Sequence, residues 1–206
     1  ENIFQKISKL KVLVIGEVII DEYVFSDALG KSGKDPILVL KEMKSEKYIG
    51  GAGSIARNIT SFSNNVKLIT MLGENSEYKE FIKKKLNKSK VSYIKKNHSP
   101  TIVKKRFLDI YSNSKVLGVY QINDDKLDKK NEKELQKLIS KSIGNYDLTI
   151  VSDYGHGFIS ENIAKIISKK SNFVALNAQI NAANVGLHSL NKYKNIDCII
   201  INEKEL

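Results

Sequence analysis

The 206-residue sequence predicts an α/β fold with a largely parallel sheet and a small separate β-layer inserted outside it. Three observations lead there. Compact apolar runs rich in β-branched residues recur along the chain, helical patterns fill the intervals, and two further segments alternate apolar with polar residues. The first run, "KVLVIG" (11–16), is closed by glycine and suits a strand buried on both faces. "VKLITMLG" (66–73), "DLTIVSD" (147–153), "FVALN" (173–177) and "DCIIIN" (197–202) repeat that character. Helices are expected over 52–62, 76–88, 131–142, 160–169 and 181–191. Segments 36–49 and 101–122 have period two and therefore one wet face each, and "SNS" inside the second signals a hairpin turn. Strands with a wet face do not belong inside a doubly covered sheet. They read as lid segments, about 33–50 and 101–122, lying over a site.

Composition narrows the function classes. Hydrophobic content of 41% and charged content of 28% are ordinary for a globular chain. No stretch approaches the roughly eighteen uninterrupted apolar residues of a membrane helix, and no signal-peptide pattern opens the sequence. Cys198 is the single cysteine, which fits a reducing, cytoplasmic setting. The net charge of +11 comes almost wholly from lysines spread along the chain. No zinc spacing, RNA-binding signature or basic–aromatic stripe accompanies it, so a nucleic-acid partner is not expected, nor is a membrane. The chain opens without Met and stops just after an apolar run, and it is expected to be a fragment of a longer protein.

Several motifs carry candidate chemistry. "KYIGGAGSIARNI" (47–59) places three glycines within four positions at the start of a helix. Glycines there serve either a tight packing turn or close approach of a ligand to backbone N–H groups. Gly51 to Ala56 also satisfies G-x-G-x-x-G/A, but that dinucleotide fingerprint requires a buried strand leading directly into it, and "KEMKSEKYI" is polar. Asp21, five residues past Gly16, is placed either to accept bonds from ligand hydroxyls or to cap a turn. In "TIVKKRF", alternation puts Lys104 and Arg106 on one strand face and Lys105 on the other; the pair suits an anionic group, or is simple surface charge. "SDYGHGF" (152–158) follows a buried strand, so Asp153 and His156 either touch a ligand or belong to a strand-to-helix turn. His98 and His188 lack metal-ligand spacing. In "INEKEL", Asn202 and Glu205 stand three apart beyond a strand, where a carboxylate and an amide can order the water shell of Mg²⁺.

The order of these pieces, "VIGEVIIDEYVF", "GGAGSIARNI", "TIVKKRFL", "SDYGHG" and a terminal N-x-x-E, resembles the ribokinase-like (PfkB) sugar kinases along all 206 residues. Within that family it is most similar to the heptose-7-phosphate kinases and to kinase domains fused to nucleotidyltransferases. The resemblance implies a three-layer sandwich with a mostly parallel sheet and an inserted β-lid, of which this chain is the N-terminal part. It implies sugar binding by Asp21, by the backbone of Gly50 and Gly51, and by Ser54 and Asp153, with Lys104 and Arg106 holding a phosphate already on the sugar. Asn177, Asn202 and Glu205 are implied as contacts for ATP, with Glu205 toward Mg²⁺. It implies phosphoryl transfer to a sugar hydroxyl, with the proton taken by an Asp of a G-A-G-D loop that this sequence does not contain. That loop is expected beyond Leu206, so the chain alone is expected to be inactive. A homodimer through the β-lid is implied as well. The alternatives are a non-catalytic sugar- or partner-binding member of the same fold and a nicotinamide-binding oxidoreductase. The sequence departs from the heptose kinases at Glu17, Ser54, His156 and "LNAQ" (176–179), where Asn177 and Gln179 replace an acid and a base.

Overall fold

A computed structural model of the chain describes residues 2–179 and 190–203. Its centre is a six-stranded sheet in the order β10-β9-β8-β1-β4-β5. The strands are β1 (Lys11–Gly16), β4 (Asn65–Leu72), β5 (Lys90–Lys95), β8 (Leu148–Asp153), β9 (Val174–Ala178) and β10 (Cys198–Ile199). Every neighbouring pair is parallel.

Alternation along β1 divides the core. Val12 and Val14 enter one hydrophobic cluster with Ala52 and Ala56 of helix α2 (Ala52–Ile59) and Ile82 of α3 (Lys79–Lys85). Leu13 and Ile15 enter the other, with Leu135 and Ile139 of α4 (Lys129–Ser142) and Ile163 and Ile167 of α5 (Glu161–Lys170). Helices thus cover both faces, giving three layers. Leu13, Val14 and Ile15 are completely buried, each stabilising the fold by about 1.5–3 kcal/mol. Asp128 caps α4 by accepting from Lys130 N and Asn131 N, and Ser160 caps α5 by accepting from Ile163 N. An amino-terminal helix α1 (Ile3–Lys9), closed by an Asn2/Gln5 capping box, buries none of its residues.

A second sheet, in the order β3-β2-β6-β7, contains β2 (Val18–Lys31), β3 (Leu38–Gly51), β6 (Val103–Asp109) and β7 (Lys115–Gln121). β2 pairs antiparallel with β3 and parallel with β6, and β6 pairs antiparallel with β7. The β6–β7 turn is fastened by Asp109, whose Oδ1 accepts from Tyr111 N, Ser112 N and Ser112 Oγ.

The structure corrects several expectations. No element was expected over "EVIIDEY", where the chain crosses at Glu17 into a fourteen-residue strand of the second sheet. Thr70 Oγ1 accepts the Val18 N–H at 2.9 Å and fastens that crossing. β5 and α1 have no counterpart among the expected elements, and the expected strand over 197–202 contracts to Cys198–Ile199. Of the helix expected over 181–191, residues 181–189 lie outside the described residues, and Leu190–Lys192 is a single 3-10 turn. No helix among the described residues is long and apolar enough to cross a membrane.

Candidate functional site

The glycine cluster sits where the two sheets meet, and each glycine answers to a different neighbour. A Cβ on Gly50 would lie 2.1 Å from Asp21 Oδ2, so the missing side chain makes room for that carboxylate. Gly51 is the N-cap of α2 at φ +58°, and a Cβ there would lie 2.3 Å from the Glu17 carbonyl oxygen. A Cβ on Gly53 would meet Ile49 Cγ1 at 2.6 Å. Protein atoms alone therefore explain all three. Ser54 Oγ donates to the Gly51 carbonyl at 2.9 Å, so its hydroxyl proton already serves the first turn of the helix.

Strand register gathers the remaining candidates. Asp21 lies opposite Tyr48 on β3 and Lys104 on β6, and Tyr23 lies opposite Arg106. Arg106 Nη1 donates to Asp21 Oδ1 at 2.6 Å, with both side chains about three-quarters buried. The guanidinium carbon is 5.7 Å from the Tyr23 ring centre and 5.6 Å from that of Tyr120. Lys104 Nζ is 5.8 Å from the rings of both Tyr120 and Tyr154. Lys104 is only 8% exposed, and among the described residues its ammonium makes no hydrogen bond. Burial lowers its pKa, helped by Arg106 and opposed by Asp21, Glu17 and Asp124. A largely buried acid, two cations and several tyrosine rings therefore share one face. That set can accept from hydroxyls, attract an anion and offer aromatic surface.

Beneath this face lies a buried polar network at the carboxyl end of β1 and β8. Glu17 is fully buried, and its two carboxylate oxygens accept from Tyr154 N at 3.0 Å and His156 N at 3.2 Å. Burial, with the Asp153 charge adding to it, pushes Glu17 up to about 7. Lys96 is also buried and donates to the carbonyls of Asn123 (2.5 Å) and His156 (2.9 Å). The Asp153 expectation requires correction. Its carboxylate is 1% exposed and accepts from Tyr193 OH (2.6 Å), Lys192 Nζ (2.5 Å) and Gly155 N (3.0 Å), so it is an internal tie and faces no open surface.

The nucleotide-side candidates stand apart from this group. Asn177, on β9, donates from Nδ2 to the Ile200 carbonyl at 2.8 Å and so links β9 to the chain after β10. Asn202 is exposed just beyond β10, while Glu205 lies outside the described residues. Among the described residues no group of three or more His, Cys, Asp or Glu side chains is placed to hold a metal ion.

Tyr23, Tyr48, Tyr120 and Tyr154, the buried Glu17 and Lys96, and Asp124 were not among the candidates read from sequence. Only the tyrosines carried a usable signal: Tyr23 shares the Asp21 face by period two, and Tyr120 is the cross-strand partner of Lys104. The buried groups owe their positions to contacts across more than a hundred residues in the case of Glu17 and the 154–156 turn.

Comparison with known proteins agrees with this architecture. Residues 9–206 match the model of the pfkB family carbohydrate kinases. The chain is 27% identical over 163 residues to the bifunctional protein HldE of a Nitratiruptor species, covering 79% of this chain and 35% of that protein. It is 27% identical over 200 residues to HldE of Aliarcobacter butzleri, covering 96% of this chain and 41% of that protein. Among solved structures, the tetrameric inhibited form of phosphofructokinase-2 from Escherichia coli superposes with TM-score 0.66 at 13% identity, covering 95% of this chain and 62% of that one. Ribokinase from Thermotoga maritima superposes with TM-score 0.62 at 17% identity, covering 95% and 60%. The chain thus spans well under half the length of these curated relatives and about three-fifths of these solved chains. With a family model matched over nearly its whole length and a ribokinase-like α/β fold, the chain belongs to the pfkB family of carbohydrate kinases.

Proposed function

We propose that this chain supplies the sugar-binding part of an ATP-dependent kinase that phosphorylates a hydroxyl of a sugar or sugar phosphate. The observation that carries the reading is the convergence of Asp21, Gly50, Lys104 and Arg106 on one face of the second sheet. Asp21 accepts hydrogen bonds from sugar hydroxyls, and Arg106 orients the carboxylate for them. Lys104 and the outward edge of Arg106 take an anionic group on the same ligand. The tyrosine rings exclude water around it. Asn177, Asn202 and Glu205 belong to the ATP side, and bound MgATP would supply the phosphoryl group and neutralise its charge. Proton removal from the attacking hydroxyl falls to a residue of the G-A-G-D type, which this sequence lacks.

A heptose 7-phosphate is the first substrate to test. The likeness to the HldE proteins supports it, and the phosphofructokinase-2 neighbour described in complex with fructose-6-phosphate supports sugar phosphates as a class. A second copy of the chain is the proposed cover for the apolar residues that the second sheet leaves exposed, Leu117, Val119 and Met43 among them. The decisive experiment measures phosphoryl transfer and ligand affinity in the full-length protein. Asp21→Ala is expected to weaken sugar binding at least tenfold while leaving ATP affinity within twofold. Equal loss of both would overturn the assignment of Asp21. Sugar binding without transfer in the intact protein would replace the kinase with a non-catalytic binder.

A further inference from the structure

Glu17 stands on the crossing between the two sheets, outside the roles assigned so far, and its backbone is pinned there. Its carbonyl accepts from Ala52 N at 2.9 Å, at the start of α2. The next N–H, that of Val18, donates to Thr70 Oγ1 at 2.9 Å. Gly16, just before it, packs so closely on β8 that a Cβ there would clash with the Ser152 carbonyl. The Glu17 side chain, fully buried, therefore starts from a fixed point beside the end of β8.

From that point the carboxylate grips the turn after β8. Residues 154–156 present three successive backbone N–H groups, with Gly155 at φ +72°, a concave donor set of the kind that captures anions. Here the protein's own carboxylates fill it. Glu17 Oε2 accepts from Tyr154 N at 3.0 Å, Asp153 Oδ1 from Gly155 N at 3.0 Å, and Glu17 Oε1 from His156 N at 3.2 Å. One carboxylate thus holds the first and third N–H together, which sets the tilt of the turn.

The first residue of that turn touches the candidate site. The Tyr154 ring centre lies 5.8 Å from Lys104 Nζ, the same distance as the Tyr120 ring on the strand beside Lys104. Tyr120 belongs to the second sheet, as Lys104 does. Tyr154 reaches the ammonium from the end of the six-stranded sheet, so its ring depends on a support outside the second sheet. Glu17 provides that support.

We propose that Glu17 is a positioning residue for anion binding: by gripping the 154–156 turn it holds the Tyr154 ring against Lys104 and so fixes where that ammonium stands. The inference rests on the sugar-phosphate reading of the site and deepens it. Glu17 itself touches no ligand, because its side chain is fully buried. Its effect on a ligand passes through Tyr154.

A double-mutant cycle tests it, with fructose 6-phosphate affinity read by calorimetry on the full-length protein. Glu17→Gln keeps the size of the side chain and removes one of its two acceptors, and about fivefold weaker binding is expected. Tyr154→Leu removes the ring without touching the buried acid, and a similar loss is expected. In the Tyr154→Leu background, Glu17→Gln should weaken binding by less than a further twofold, because the path is already cut. A general loosening of the fold would instead act by the same factor in both backgrounds. That result, or the absence of loss in either single variant, overturns the inference. Lys104→Ala separates the two levels. If it weakens fructose 6-phosphate while Tyr154→Leu does not, the anion site stands and the positioning role falls. If fructose 6-phosphate does not bind, or binds Lys104→Ala equally well, the site reading falls and takes the inference with it.

Discussion

The two sheets of this molecule are built on opposite terms. In the six-stranded sheet both faces are covered, and five of the six residues of β1 are buried. In the four-stranded sheet burial is partial: Val18–Ile20 and Ile49–Gly51 are buried at the root, only alternate residues of β2 stay buried as far as Ser26, the far ends of β2 and β3 are open, and every residue of β7 is exposed. The first sheet derives its stability from apolar area removed from water. The second holds together by backbone pairing and cross-strand partners, and that frees its surface for ligands. Even adjacent residues of β2 divide the labour. Asp21 makes one close bond to Arg106, whereas Glu22, on the other face, is shared at looser range by Ser45 (3.1 Å), Lys105 (3.6 Å) and Lys47 (3.7 Å).

Substitutions can break or sharpen that contrast. The largest effect belongs to the central sheet: Ile69→Ala, at a fully buried position of β4, should cost about 2–5 kcal/mol in urea unfolding. A loss under about 1 kcal/mol would mean that the sheet core is not where stability resides. The junction comes next. Gly51→Ala combines a positive φ with a Cβ 2.3 Å from backbone, and a loss of about 2 kcal/mol is expected, while Gly144→Ala, with open space around it, should be nearly neutral.

Glu17 at the same junction gives a pH signature. Its folded pKa, near 7, lies above the ordinary value of 4.5, so the folded state binds the proton more tightly than the unfolded chain does. Its contribution to stability is therefore fullest below about 4.5 and is lost as pH rises through about 7. His156, lowered by burial, acts with the opposite sign, losing stability as pH falls below its unfolded value near 6.5. Comparing unfolding midpoints at pH 5 and pH 8 in wild type and Glu17→Gln isolates the first, and a pH response unchanged by the substitution would remove Glu17 as its source.

On the second sheet the sensitive property is binding. Lys104→Ala should weaken a sugar phosphate about tenfold and a neutral sugar little, as read by calorimetry. Loss of both alike would argue that Lys104 supports the strand and leaves the anion alone. The smallest effect is expected farthest out, where Leu117→Ala on exposed β7 should change monomer stability by about 0.5 kcal/mol or less.

What was legible beforehand follows the same division. The β-branched runs of β1, β4, β8 and β9 announce doubly buried strands because a parallel sheet has no wet face to interrupt them. The β6–β7 hairpin was legible from its period and its turn. β2 was not among the expected strands because "EVIIDEYVF" shows no clean period of two, and only the Thr70 tether and the pairing with β3 and β6 reveal the change of sheet. At the site, residue types and alternation indicated Asp21, Lys104 and Arg106 as candidates but gave no hint that Asp21 and Arg106 hold each other.

By itself the sequence determined the layered α/β class, the strands with continuous apolar character and the helix that starts in glycine, because periodicity and backbone freedom are local properties. Tertiary structure alone decided that Glu17, Lys96 and Asp153 are buried and that His156 keeps one nitrogen unpaired. Burial of a charge depends on which distant segment roofs it, and desolvation has no signature in the order of residues along the chain.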